Sequence, residues 1–229
     1  MTTNSPVGVI GLGAMGSGMA GSLRRRAGHA VQAFDVRPGV AQAFAAEGGT
    51  AAPSAAALAA ACSVVVSVVV NAAQTEELMF GSGGVAAAMR PGSVFVMCST
   101  VDPATSSGFE ARLEALGLQY LDAPISGGAA KAASAQMTMM TAGKPAAYAA
   151  CGTVLESMAA KVYRLGDRAG AGSKVKIINQ LLAGVHIAAA AEAMALGLRE
   201  GVDAAALYDV ITHSAGNSWI FENLMAHVL

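Results

Sequence analysis

VGVIGLGAMGSGMAGSL, residues 7–23, decides how this chain is read. Val7, Val9 and Ile10 form a short apolar run that stops at Gly11. Gly11, Gly13 and Gly16 then give the spacing G-x-G-x-x-G, and Met15, Met19 and Leu23 recur at helical spacing. A strand, a tight turn and a helix start in that order cradle a dinucleotide pyrophosphate. Gly11 makes the turn, Gly13 has no Cβ to block an approaching phosphate, and Gly16 lets the helix lie close to the strand. Backbone N–H groups of the turn, from Leu12 through Ala14 and Met15, face the anion together with the helix dipole. A glycine-rich turn in any α/β protein carries the same spacing, and this chain has 27 glycines. The strand before the motif and the helix after it favour the dinucleotide reading.

Working outward, Arg24–Arg26 followed by Gly28 form a helix stop, with the arginines read as a solvated helix end. VQAFDV (31–36) is the second strand, with Asp35 near its end, 19 residues beyond Gly16. An acid at that distance meets the adenosine ribose hydroxyls. Its charge repels a 2′-phosphate and favours NAD over NADP; Arg37 is the residue that would bind such a phosphate. The other reading of Asp35 is a turn-starting aspartate before Pro38.

Residues 40–47 and 54–61 suit short helices, and SVVVSVVV (63–70) a buried strand ended by Asn71, at the carboxyl edge where cofactors sit. VFVM leads to Cys98-Ser99-Thr100, Asp102 caps a helix running to about Leu116, and LQYLD (118–122) is a further strand. MTMMTAG (137–143) and KVYRLG (161–166) read as two more. Alternation of strand and helix from Val7 to about Leu165 predicts a Rossmann-type, doubly wound, mostly parallel sheet. Residues 171–200 then contain no proline and form one long helical pattern, and Val202–Thr212 another. The expected organisation is a dinucleotide-binding domain over 1–168 and an all-α substrate and oligomerisation domain over 169–229. The ending FENLMAHVL lacks a cap or polar tail, so the helical domain reads as truncated at the C-terminus.

The totals exclude several classes. Hydrophobic residues make up 54% and charged residues 13%, enough for a large core. A net charge of −1 gives no case for nucleic acid or an anionic membrane surface. Cys62, Cys98 and Cys151 are far apart, without metal or CxxC spacing, and read as buried thiols in a reducing, cytoplasmic compartment. MTTNSP (1–6) has no basic n-region of a secretory signal. The most apolar window, 55–70, is 16 residues long, too short for a membrane span, and splits into an Ala-rich helix and a Val-rich strand. The long apolar helix offers more surface than its own domain covers, which predicts a homodimer or homotetramer.

Two stretches carry chemistry. Ser126-Gly127-Gly128 offers a hydroxyl and backbone N–H groups before a short helical pattern, a turn suited to a carboxylate or phosphate; the alternative is a flexible loop. Lys176, Asn179 and Gln180, at i, i+3 and i+4, share a stripe of the long helix, while Lys174 projects to another side. A lysine there serves as general acid or base once burial or charge lowers its pKa from ~10.4; alone, it reads as a surface lysine. His29, His186 and His227 form no rival centre, and His213, before SAGNSW, is a minor candidate. No hydrolase triad, paired carboxylates or metal-ligand set stands out.

GLGAMGSGMA (11–20), Cys98-Ser99-Thr100, DAPISGG (122–128) and GAGSKVKIINQ (170–180) together resemble the β-hydroxyacid dehydrogenases, of the 3-hydroxyisobutyrate and 6-phosphogluconate dehydrogenase type. The resemblance implies hydride transfer between NAD and a small hydroxy acid. Within the family, VVVNAAQ (68–74), 143–166, 176–196 and HSAGNSWIFEN (213–223) are most similar to members that oxidise the C2 hydroxyl of a four-carbon sugar acid. Reduction of tartronate semialdehyde and oxidation of 3-hydroxyisobutyrate are the rival reactions, and a nucleotide-binding module without turnover is the non-enzymatic alternative. By position, the resemblance puts Gly11, Gly13 and Gly16 on the pyrophosphate, Asp35 on the ribose and Thr100 near the nicotinamide. It puts Ser126, Gly127 and Gly128 on the substrate carboxylate and makes Lys176 the acid/base of the GxGxxxK pattern. Lys131, Asn217 and Trp219 are secondary pocket candidates. The family's asparagine four residues after that lysine is Gln180 here, with Asn179 before it, so either amide is a candidate for substrate contact. Members of the family continue past residue 229 with a helical stretch carrying another lysine.

Overall fold

The computed structural model describes residues 6–227 and divides into two compact units, Met1–Lys176 and Ile177–Leu229. The polar N-terminal stretch up to Ser5 and the last two residues of FENLMAHVL lie outside the described residues.

The first unit opens with β1 (Val7–Ile10), α1 (Gly16–Ala27), β2 (Val31–Phe34), α2 (Val40–Ala46), β3 (Thr50–Ala51), α3 (Ala55–Ala61) and β4 (Val64–Ser67). It continues with α4 (Ala72–Phe80), α5 (Val85–Ala88), β5 (Val94–Met97), α6 (Pro103–Glu114) and β6 (Gln119–Asp122). The six strands form one sheet in the order β3-β2-β1-β4-β5-β6, every pair parallel. The expected doubly wound sheet is therefore present. VGVI, VVVS and VFVM are buried at every position, as central strands covered by helices on both faces must be. Alternate side chains feed two cores. Val7, Val9, Val64, Val66, Val94 and Val96 pack with Met19 and Leu23 of α1; Ile10, Val65, Phe95 and Met97 pack with Leu58, Met79, Phe109 and Leu113.

Register brings the strand ends level. Ile10 pairs with Phe34 and Ser67, Ser67 with Met97, and Met97 with Asp122. The carboxyl ends of five strands thus stand in one row, and the loops after them leave from one edge. In such sheets ligands bind there, where strand order reverses beside β1.

Several details depart from the sequence reading. The Val-rich strand stops at Ser67, and Val70 stands 78% exposed, its N–H donated to Gln74 Oε1. Two short helices, α4 and α5, fill the stretch between Asn71 and Pro91, and a two-residue edge strand, β3, follows Gly49. The alternation does not extend the same sheet to Leu165. β7 (Ile125–Ser126), β8 (Met137–Thr141) and β9 (Ala159–Arg164) form a second sheet, antiparallel between β7 and β8 and parallel between β8 and β9. The chain leaves β6 through Ala123-Pro124, and Met140 N–H donates back to Pro124 O. A proline cannot donate to a continuing ladder. Between β7 and β9 lie α7 (Gly128–Ala133), α8 (Pro145–Cys151) and α9 (Val154–Met158). Arg25 and Arg26 are not merely a solvated helix end: their guanidinium groups donate to Ala133 O and Ala135 O, at the carbonyl end of α7, where cations are favoured. Gly28 closes α1 in the left-handed region, as the stop signal predicts.

The boundary between the units falls inside α10 (Ala171–Arg199). In the second unit α11 (Ala204–Thr212) and α12 (Trp219–Met225) are capped by Asp203 and Ser218. Ala190, Met194, Phe221 and Met225 form its small core, with the Tyr208 ring stacked on Phe221 at 5.9 Å. Ile178, Leu181, Leu182 and Val185 are more than half exposed. The length argument against a membrane span holds for 55–70, which divides into α3 and β4. It does not hold for α10, whose 29 residues include an 18-residue window of mean hydropathy 1.7, long and apolar enough to cross a membrane by length and composition. Cys62, Cys98 and Cys151 are free and buried, as expected.

Candidate active site

The glycine loop leaves β1 at the row of strand ends. Gly11 has φ +91°, and a Cβ there would stand 2.5 Å from Val68 O, on the loop after β4. A Cβ on Gly16 would fall 1.8 Å from Gly11 O. Helix and turn therefore touch backbone to backbone. Gly13 differs: a Cβ there would meet nothing within 4 Å, so the space before the loop is open. Among the described residues no side chain caps the first turn of α1, and that turn carries no acidic residue, so the N–H groups at its positive end are left without a capping side chain. An open cradle of backbone donors of this kind fits a dinucleotide pyrophosphate.

Asp35 follows β2 on the same edge. Its carboxylate accepts Leu12 N–H at 2.7 Å, Arg37 N–H at 2.9 Å, and the Arg37 guanidinium at 2.9 and 3.0 Å. Arg37 also donates to Leu12 O. The guanidinium beside Asp35, opposed by burial and helped by the two backbone donors, lowers the carboxyl from 3.8 to about 2. Asp35 is thus ionised and ties the glycine loop to β2, with Arg37, 58% exposed, on its outer side.

The loops after β4 and β5 are joined through hydroxyls. Ser99 Oγ donates to Val69 O and shares a bond with Thr75 Oγ1, which also pairs with Asn71 O. Asn71 Oδ1 accepts Gln74 N–H and caps α4. Thr100, next to the buried Ser99, is exposed on this edge.

Beyond β6 stand the two stretches with candidate chemistry. Gly127 (φ +139°) and Gly128 (φ +79°) hold backbone conformations that L side chains rarely adopt, and they turn the chain from β7 into α7. Helix α7 is pinned on α1: Ser22 Oγ donates to Ala132 O, and a Cβ on Gly18 would meet Ala133 N at 2.6 Å. The Ser126–Gly128 turn and the glycine loop are therefore held by one helix pair. Lys176 is buried, with 6% of its surface accessible, and burial lowers its pKa below the ordinary lysine value. Lys174 is exposed instead and lines an open cavity of about 510 Å³ with Pro103, Ser107 and Arg168. The two lysines separate as the helical spacing predicts. Asp122, between strand and turn, binds the first turn of α10 through its carboxylate.

Asn179 and Gln180 follow on α10 in the second unit, the first half-buried and the second exposed. Also in that unit, Asn217 Nδ2 donates to Thr212 O, while its buried Oδ1 has no partner among the described residues, and Trp219 is 52% exposed. Lys131 is exposed on α7. Sequence reading gave no role to Asp122, Ser173 or Ser99. A carboxylate ending a buried strand is the signal that would have marked the first.

Two family models match the chain, one after the other, and meet just before α10. A model of the NAD binding domain of 6-phosphogluconate dehydrogenase matches residues 6–166, and a model of the NAD-binding region of NADP-dependent 3-hydroxyisobutyrate dehydrogenase matches 170–229. An L-threonate dehydrogenase of Cupriavidus necator is 62% identical over 97% of this chain and 75% of its own length. An L-threonate dehydrogenase of Escherichia coli is 45% identical over 97% of this chain and 74% of its own. A crystal structure described as 3-hydroxyisobutyrate dehydrogenase from Salmonella typhimurium superposes with a TM-score of 0.92, at 51% identity, over 97% of this chain and 77% of that one.

Proposed function

This chain belongs to the β-hydroxyacid dehydrogenase family, oxidoreductases acting on CH–OH groups, and from that premise we propose that it oxidises the C2 hydroxyl of L-threonate to 2-dehydro-L-erythronate with NAD. The observation that carries the substrate is the 62% identity to an L-threonate dehydrogenase across 97% of the chain. The geometry that supports the reaction is the buried Lys176 on the helix that Asp122 binds to the end of β6.

The roles we assign follow from the chemistry of each group. Gly11 through Gly16 hold the pyrophosphate against the open start of α1, and Asp35, ionised above about pH 2, accepts the ribose hydroxyls in place of the exposed Arg37 guanidinium. Asn71, the N-cap of α4 after β4, and Thr100, on the loop after β5, are the residues we assign to border the coenzyme. NAD, when bound, supplies the hydride acceptor. The Ser126–Gly128 turn binds the substrate carboxylate through its hydroxyl and backbone N–H groups. Lys176, its ammonium form disfavoured by burial, takes the proton from the substrate hydroxyl. Asn179 and Gln180 are the amides we assign to orienting that hydroxyl. The ionised Asp35 supports NAD over NADP, since a 2′-phosphate would face its charge.

We assign dinucleotide binding to 1–168 and substrate binding and self-association to 169–229. The exposed apolar residues of α10 support a homodimer or homotetramer, in which a second copy covers them. A cytoplasmic location is in keeping with three free thiols.

The Salmonella structure, at 51% identity, favours a second reading, oxidation of 3-hydroxyisobutyrate. A screen of C3 and C4 hydroxy acids with NAD and NADP separates the two. L-threonate with NAD gives the highest kcat/KM under the first reading, and 3-hydroxyisobutyrate under the second. In the same assay Lys176→Ala lowers turnover by roughly 10²- to 10⁴-fold and leaves NAD affinity nearly unchanged. Surviving turnover removes Lys176 from the mechanism.

A further inference from the structure

The proposed reaction uses no acid, yet a carboxylate lies buried among its parts. Asp122 ends β6 with no accessible surface. Its Oδ2 accepts Gly170 N–H and Ser173 N–H, each at 2.9 Å, and its Oδ1 accepts the Ser173 hydroxyl at 2.7 Å. Its backbone is held as well: Asp122 N–H donates to Ala142 O at 3.0 Å, and Ala142 N–H donates to Asp122 O at 2.8 Å. Gly172 completes the contact, because a Cβ there would stand 2.4 Å from Met140 O and 3.1 Å from Asp122 O. The first turn of α10 thus rests against strand backbone, fastened by an anion at its positive end.

For stability alone a surface cap would serve. Asp102 and Asp203 cap α6 and α11 in that way, each from the residue next to its own helix. Asp122 reaches α10 from about fifty residues away and keeps a charge out of water, an arrangement that costs free energy unless every lone pair is well used. Two functional stretches meet at it. Four residues after Asp122 comes Ser126 of the anion turn, and three residues after Ser173, on the same side of the helix, comes Lys176.

We propose that Asp122 is a positioning residue that locks the first turn of α10 to the strand carrying the Ser126–Gly128 turn, and so sets the distance from Lys176 to the bound carboxylate. The proposal rests on Lys176 acting as the proton acceptor. A shift of about 1 Å in such a distance costs on the order of 10²-fold in rate.

The test uses the full chain and two variants. Asp122→Asn keeps the shape but turns an amide NH₂ toward N–H donors; Ser173→Ala deletes only the 2.7 Å bond. Both are assayed for NAD affinity, kcat and KM on the preferred hydroxy acid, and for the Lys176 pKa by NMR of its side chain. Expected for Asp122→Asn are a kcat lower by about 10²-fold, NAD affinity within about twofold of wild type, and a Lys176 pKa climbing toward ~10.4 as the ammonium gains water. Ser173→Ala moves both quantities in the same direction by less, and decides the matter if Asp122→Asn does not fold. Variants with a lower Tm but wild-type kcat, KM and Lys176 pKa overturn the proposal and reduce Asp122 to a structural cap. If instead Lys176→Ala keeps its turnover, the functional reading is what fails. The Lys176 titration still reports on the clamp, because it needs no turnover.

Discussion

Gly13 and Gly16 belong to one motif, and alanine at the two positions has opposite consequences. At Gly16 a Cβ would lie 1.8 Å from Gly11 O and 3.3 Å from the Val68 side chain. Ordinary contact begins near 3.4 Å, so α1 must retreat from β1 by more than an ångström. Overpacking of this kind costs roughly 1–3 kcal/mol, and backbone on both sides puts it at the upper end. For a chain of this size about 3 kcal/mol lowers Tm by roughly 6–12 °C. At Gly13 a Cβ meets nothing within 4 Å, and no positive φ opposes alanine. Stability should rise by about 0.4–1 kcal/mol, because alanine restricts the unfolded chain more than glycine does. The new methyl group nevertheless stands in the open space before the loop. If the pyrophosphate lies there, a clash worth about 2 kcal/mol weakens NAD roughly 30-fold. Thermal unfolding without ligand, paired with calorimetric titration of NAD, reads both effects. A Gly13→Ala protein that binds NAD like wild type refutes the placement of the coenzyme on this turn, and a Gly16→Ala protein of unchanged Tm refutes the packing argument.

Other expectations concern buried polar groups. Asp35 has its carboxyl lowered from 3.8 to about 2, so its contribution is complete above about pH 4 and disappears as pH falls through about 2. The shift corresponds to about 2.4 kcal/mol, reduced to about 1–2 by the solvent exposure of Arg37. Chemical denaturation of Asp35→Asn between pH 7 and 2 should show a deficit of that size closing at the acid end; a deficit constant with pH contradicts the assignment. Lys176 has the opposite sign, since its folded pKa lies below its unfolded value. Lys176→Met should therefore be more stable than wild type at neutral pH, with the gain fading as pH rises to the ordinary lysine value, and a methionine variant less stable at pH 7 would contradict the burial argument. Ser67 Oγ is buried without a partner among the described residues, so Ser67→Ala should be neutral or gain up to about 1 kcal/mol; a clear loss of Tm would mean that the hydroxyl is bonded. Burial raises Cys62 to about 11 and Cys151 to about 12, and raises Cys98 as well. A thiol reagent at pH 8 should label none of the three in the native protein and all three in denaturant.

Local signals determine much of this chain without any tertiary contact. Helix starts at Ser54, Asp102 and Asp203, and the helix stop at Gly28, depend on one side chain or one φ angle, so they are legible residue by residue. Valine runs covered on both faces announce parallel strands, and the glycine spacing announces the turn between the first strand and its helix. What no local pattern contains is pairing between distant residues. The second sheet arises because the chain reverses at Pro124 and β8 meets β7 from the opposite direction. Leu12 N–H meets the Asp35 carboxylate because the loops after β1 and β2 converge, and Asp122 holds α10 because a strand end and a helix start, 48 residues apart, arrive at the same place. Periodicity and capping are properties of neighbours along the chain. A buried charge finds its partners only once the chain has folded around it.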